Sequence, residues 1–292
     1  MRRRFVFCWL LTAAFTTSAA FGADPTPEKV FGWLSLRGDG VPTRYTPGSL
    51  DRAANVQWRL EIVMKALGRA GVKIDGINLY LASPEEWEAA RCARAYGLPE
   101  AFGSTLMLPA WGTDRTVALW TELTGVAPSG DGQMPIRGSA EEAGSLVWTD
   151  ILGQVEAARA GLRRGQVKGT SPWVVDLLAH LVALDAYERE EPGRLLELDA
   201  FFATLQSRVP SAAIDPERSL ESLSTAERLA GEARLFSLAR ALSRGKSGKL
   251  ADKMIGWGRK YGGTIPAGEL FSKVEGARQA FDRVFSAAPA GS

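Results

Sequence analysis

The chain is short of the residues that build the commonest hydrolytic and metal centres. Among its 292 residues there is one histidine, His180, and there are two cysteines, Cys8 and Cys92. A Ser-His-Asp triad would have to use His180. A zinc site with two or three imidazoles cannot be assembled from one, nor a four-thiolate site from two cysteines. A strong excess of either charge is missing too. Lys and Arg number 35 against 33 Asp and Glu, a formal net charge of +2. That is a poor complement to a phosphate backbone, and no nucleic-acid partner is expected. The most basic stretches, Arg163-Arg164 and residues 240–260, read as solvated helix faces. The glycine-rich segment 128–132 lacks the lysine and the following helix of a phosphate-binding loop. Adjacent glutamates occur at Glu85-Glu86, at Glu141-Glu142 and in the run Glu188 to Glu191, each near a predicted helix end. A glycosidase needs two carboxylates facing each other across a cleft, about 5–10 Å apart, which neighbours on one helix do not supply. With 46% hydrophobic and 23% charged residues, disorder and a multi-span membrane protein are both excluded.

What is there points first to export. Arg2-Arg3-Arg4 precede an apolar run of 11 residues, Phe5 to Phe15, and small residues follow to Ala20. This is the layout of a signal peptide over residues 1–22, with Ala20-Phe21-Gly22 at the cleavage site. The apolar run is too short for a bilayer span of about 20 residues, so no membrane span is expected after cleavage. Loss of three arginines takes the net charge from +2 to −1. The expected destination is the periplasm or the outside of a bacterial cell. Only Cys92 remains in the mature chain, so stability must come from the core rather than from a disulfide. Cys92 reads as a structural thiol within a helix.

Residues 23–48, with four prolines and four glycines, read as an extended lead-in. Ser49 is placed to cap a helix over about 50–69. Period-two alternation within residues 72–82 predicts a strand, with Ile77, Leu79 and Leu81 on one face. Ser83-Pro84-Glu85-Glu86 opens a helix expected to reach about residue 96. A second strand is expected over 104–109 and a helix over 114–124. Residues 49–125 thus form a small α+β region. After a turn-rich stretch, Gly125 to Gly138, a helical region fills 138–286 and packs on the first as a single compact unit. Its helices are expected over about 140–164, opened by a Ser139/Glu142 box, then 172–190, 192–208, 224–243, opened by a Ser224/Glu227 box, 247–261 and 267–285. Of nine tryptophans, Trp111, Trp120, Trp148, Trp173 and Trp257 read mostly as core. The fold class is predominantly helical α+β.

Two of these helices hold the candidate chemistry. Asp150 and Gln154 are four residues apart, as are Asp176 and His180, so each pair shares a helix face. If the helices are antiparallel neighbours, the four side chains meet in one cleft. Each also has a plainer explanation: a hydrogen-bonded core histidine, an aspartate favoured by a helix N-terminus, an aspartate at the solvent edge. A hard-cation site from Asp150, Asp176 and His180 is a further alternative.

The two segments resemble the gluzincin-type zinc metallopeptidases. In that family a small sheet precedes a helix bearing HExxH, often HELGH, and a later helix, often opening like WFDELLA, supplies the third zinc ligand. Here Asp150-Ile151-Leu152-Gly153-Gln154 stands at the first motif and keeps Leu152 and Gly153. Trp173-Val174-Val175-Asp176-Leu177-Leu178-Ala179 stands at the second and keeps the tryptophan, both leucines and the alanine. The segment from Ile77 to Trp87 is similar to the family's earlier sheet region. The resemblance implies that Asp150 and Gln154 replace both histidine ligands, Ile151 replaces the glutamate base, and Asp176 is a shortened third ligand. Loss of the base removes general-base catalysis, a factor of roughly 10²–10⁴. The resemblance therefore implies a pseudo-peptidase with no catalytic residue, no metal ligand and no cofactor, and a degenerate cleft of Asp150, Gln154, Asp176 and His180. The expected function is binding of a protein or peptide in the cell envelope. The alternatives are a hydrolase using another carboxylate or metal constellation in the same cleft, and a purely structural envelope component.

Overall fold

The computed structural model describes residues 32–38, 40–74, 76–124, 141–208 and 215–286. The readings of residues 1–22 as a signal peptide, of 125–138 as turns and of Ser139 as a cap lie outside the described residues. The architecture is predominantly helical α+β, as the sequence pattern indicates.

The described part of the lead-in contributes two strands to the sheet. Strands β1 (Leu34–Leu36) and β2 (Thr43–Tyr45) lie within it, and helix α1 (Leu50–Arg69) follows. Ser49 begins α1 without a side-chain cap; its hydroxyl instead donates to the Thr46 carbonyl at 2.8 Å. Strand β3 (Asn78–Ala82), helix α2 (Pro84–Ala89), strands β4 (Glu100–Phe102) and β5 (Thr105–Pro109), and helix α3 (Asp114–Thr124) complete the first half. The strand order is β1-β2-β3-β5-β4, parallel in the middle and antiparallel at both edges. A two-residue turn joins β4 to β5, and Gly103 supplies its positive φ of 54°. Leu79, Leu81, Leu106 and Leu108 point to the main core, and Tyr80, Ala82 and Met107 to a second cluster with Trp87 and Tyr96. Both sheet faces are thus covered around β3 and β5, by helices on one side and by α2 and the following loop on the other.

Helix α2 stops seven residues before the expected end at 96. Arg91 turns the backbone into the left-handed region at φ 53°. The loop beyond it makes tertiary bonds that a continued helix could not: Trp87 Nε1 donates to the Arg94 carbonyl at 2.9 Å, and the Tyr96 hydroxyl donates to the Ala82 carbonyl at 3.2 Å. Cys92 consequently lies outside the helix, half-buried, with Sγ 3.7 Å from Met107 Sδ. Burial and the nearby Glu100 carboxylate push its thiol up to about 12.

Helix α4 (Glu141–Arg164) packs on β5, β4 and α1. Helix α5 (Pro172–Glu190) turns back beside it and is buried on all sides from Asp176 to Tyr187. Helices α7 (Thr225–Ser243) and α8 (Ser247–Lys260), with α1 and α4, enclose α5, and α6 (Leu195–Arg208) packs on α7 and reaches α5 through Phe202. A short parallel pair, β6 (Lys168–Gly169) with β7 (Thr264–Ile265), ties the turn after α4 to the end of α8. The helix expected over 267–285 is two, α9 (Ala267–Lys273) and α10 (Ala277–Ser286). Val274 is extended and Gly276 has φ 74°. The break lets Phe271 and Phe281 both reach Trp173, with ring centroids at 5.6 and 4.7 Å. On one straight helix those residues would be about 15 Å apart along the axis. Trp120, Trp148 and Trp173 are core, as expected; Trp111 is 37% exposed and Trp257 only half-buried.

Candidate functional site

Three of the four candidate residues fall in two separate ionic clusters, and Gln154 in neither. In the hairpin of α4 and α5 the residue opposite Asp176 is Arg159, nine positions after Asp150. Nine residues is half a turn out of phase and about 13.5 Å along a helix. Asp150 and Asp176 therefore lie on opposite sides of α4. Asp176 and His180 do come together, one turn apart on α5.

Asp150 belongs to α1 and β5. Arg52 grips it with two bonds, Nη2 to Oδ1 at 2.8 Å and Nη1 to Oδ2 at 3.1 Å, and its Nε donates to the Pro109 carbonyl at 2.9 Å. Arg59 adds a contact at 3.5 Å to Asp150 and one at 3.7 Å to Glu191. Gln154 is buried, with no hydrogen-bond partner for Nε2 among the described residues.

Asp176 and His180 belong to a network centred on Arg159, which is 1% exposed. Arg159 Nε donates to Asp176 Oδ1 at 2.6 Å, Nη2 lies 3.0 and 3.1 Å from the two oxygens of Glu232 on α7, and Nη1 is 2.9 Å from Glu156 Oε1. His180 Nε2 lies 2.8 Å from Glu232 Oε2, and the imidazole stands edge-on to Phe202. Two more arginines close the outer side. Arg94 reaches Glu156 at 3.0 Å and Glu100 at 3.7 Å; Arg228 bonds Glu156 and lies 3.7 Å from Glu232. Glu156 Oε1 thus serves three guanidiniums, and Oε2 is buried without a hydrogen-bond partner.

Burial opposes the charge on Glu232, but Arg159, His180 and Arg228 outweigh it and hold the carboxyl well below its usual range. Asp176 goes the other way: burial raises it, against the pull of Arg159. Burial also opposes the charge on Arg159, yet Glu232 and Asp176 hold that guanidinium above its usual value. Burial draws Arg228 down to about 10, which still leaves it charged at neutral pH.

A cavity of about 560 Å³ opens on this network. Glu100, Glu156, Arg228 and Glu232 line it, with Leu152 and Leu229 as apolar floor. Arg163 and Glu221 also line it and are paired with each other. Glu156, Arg159, Arg228 and Glu232 are not among the candidates that spacing in the sequence singles out. One signal was available: Ala157-Ala158-Arg159-Ala160-Gly161 sets an arginine among small residues, a pattern of close packing on every side.

The residues at the zinc-motif positions do not fit zinc. They offer a carboxylate, an amide and a carboxylate; two guanidiniums already hold the first, and the first and third lie on opposite sides of α4. Among the described residues no three His, Cys, Asp or Glu side chains are grouped so as to hold a metal ion. No family model, no curated protein and no solved structure matches the chain.

Proposed function

We propose that this is an exported, non-catalytic binding protein that takes an extended peptide into the cavity beside β4. The observation behind this reading is how the acids around that cavity are held. Glu156 and Glu232 are each bound by two or more guanidiniums, and His180 is committed to Glu232 in the interior. Glu232, held below its usual range, is a poor proton acceptor, which speaks against its serving as a general base for hydrolysis. Binding needs none of that chemistry. β4 is the last strand of its sheet, with no strand on its outer edge among the described residues, and Glu100 and Ala101 line the cavity. An extended peptide can continue such a ladder, with side chains meeting the leucine floor.

The scaffold is, on this reading, that of a zinc metallopeptidase without its ion. The support is a small mixed sheet ahead of α4, Gly153 pressed against Leu108 of β5, and Trp173, Leu177, Leu178 and Ala179 in the core. An envelope or extracellular location follows from the N-terminal pattern.

The test is selection from a random-peptide library, followed by calorimetry on synthetic peptides. Selected peptides should bind the wild-type chain and be recovered intact. Ala95→Trp, at an exposed position on the cavity wall, should lower their affinity at least tenfold with an unchanged unfolding midpoint. Chelator-sensitive cleavage, or binding indifferent to Ala95→Trp, would overturn the reading.

A further inference from the structure

Residues 240–260 hold seven basic side chains and one acidic one, in a chain whose net charge is only +2. The rest of the chain is therefore net acidic, and the positive charge is concentrated on α8 and the turn before it. Within α8 it is concentrated again. At about 100° per residue, Lys246, Lys249, Lys253 and Lys260 fall within roughly 60° of arc. All four are exposed, and Leu250, Ala251, Met254, Ile255 and Gly258 are buried on the other side. None of the four lysines makes an ion pair among the described residues. Neighbouring basic residues are occupied: Arg240 pairs with Asp199 at 2.8 Å, Arg259 donates to the Ala70 carbonyl, and Lys273 pairs with Glu269 at 2.6 Å. The acids nearby are Asp252, Glu269 and Glu275 and, at the start of α8, Glu188, which accepts from Ser247, and Asp185, beside Gly248. The last two are held by Ser247 and by Arg69 and Arg189 respectively.

The stripe borders a groove of about 390 Å³ where the turn between α7 and α8 meets the end of α9. Arg244, Lys246, Lys249, Lys253 and Lys273 line it, with Glu275 as the acid among them. Half-buried Trp257 lies about 20° beyond the edge of the lysine arc. Tyr261 follows, 42% exposed, its ring 5.0 Å from Lys260 Nζ and its hydroxyl donating to Glu269.

Like charges gathered on one face repel one another and oppose folding unless an opposite charge meets them. Lysine is a compact, strongly hydrated charge suited to a layer of phosphates, whereas nucleic-acid recognition favours arginine forks and open stacking rings. Amphipathic aromatics among lysines belong at a lipid–water boundary. The apolar side of α8 is spent in the core, so contact there is electrostatic and without insertion. We propose that the lysine face of α8 docks the protein on an anionic phospholipid surface, with headgroup phosphates entering the groove beside Arg244. This does not depend on the peptide-binding reading.

The experiment is vesicle co-sedimentation with the purified chain. The wild type should bind vesicles of phosphatidylcholine with 30% phosphatidylglycerol, but not phosphatidylcholine alone, and 0.5 M salt should release it. Each lysine near such a surface is worth roughly fivefold, so changing Lys246, Lys249, Lys253 and Lys260 together to Gln should weaken binding at least fiftyfold. Changing the same four to Arg should retain binding, and Lys65→Gln on α1 should have no effect. The proposal is overturned if the neutral vesicles bind equally, if the four-Gln variant binds as the wild type does, or if duplex DNA binds more tightly than the anionic vesicles.

Discussion

A guanidinium buried to 1% exposure must replace its lost hydration, and Arg159 does so with carboxylates from α4, α5 and α7. Nε and Nη2 hydrogen-bond Asp176 and Glu232, while Nη1 has an ion-pair contact with Glu156 but no hydrogen bond among the described residues. Breaking such a set from one side leaves buried charge uncompensated, which typically costs about 3–5 kcal/mol. Arg159→Met should destabilise the protein by that amount in urea unfolding, because Glu156, Asp176 and Glu232 would face one another without their common counter-charge. Adding Glu232→Met should recover part of the loss; a single substitution that changes stability by under 1 kcal/mol would contradict the account. At this scale the sequence was half legible. The spacing of Asp176 and His180 put them on one face, and the structure has them on one network. His180's partner Glu232 lies 52 residues beyond it, and no local spacing announces it.

Elements are positioned by what their smallest residues allow. Gly161 lies where α4 crosses α1, and a methyl group there would overlap Cδ1 of Leu67, which is fully buried. Alanine is ordinarily the better helix former by about 1 kcal/mol. Here overpacking should outweigh that gain, and Gly161→Ala is expected to lower stability by about 1–3 kcal/mol. A raised thermal midpoint for this variant would show that the α1–α4 contact is not tight. Gly153 plays a similar part against Leu108. The letters shared with the metallopeptidase motifs, Leu152, Gly153, Trp173, Leu177, Leu178 and Ala179, are therefore packing positions. Close helix–strand and helix–helix contact explains them without reference to an ion. The helix ends that were legible are those with local caps. Ser83 with Glu86 and Ser224 with Glu227 form reciprocal capping boxes, as their spacing predicts. The ends that were not legible, at Ala89 and at Lys273, are set by Tyr96 and by Trp173, which are tertiary partners.

For the whole molecule the buried carboxylates dictate the response to acid. Glu232 is held below its usual 4.5 in the folded state. Its contribution is therefore present above about 4.5 and is lost as the pH falls towards its depressed value. Asp176, raised by burial, has the opposite sign: its contribution is present at low pH and is lost as the pH rises through its raised value. Stability measured by urea unfolding should fall below pH 4.5. In Glu232→Gln, less stable at neutral pH, that fall should be shallower. An equally steep fall in the variant would show that other carboxylates control acid unfolding.

The sequence by itself determined what is local or arithmetic. One histidine and two cysteines bounded the chemistry, period-two alternation marked β3, and serine–glutamate spacing marked the starts of α2 and α7. The tertiary structure alone decided that Asp150 belongs to Arg52, 98 residues away, and Asp176 to Arg159. The reason is rotational. A helix with one polar face is oriented by solvent, so its pattern can be read directly. α4 is buried on every side from Trp148 to Leu162, and its polar side chains point to whichever neighbour holds the opposite charge.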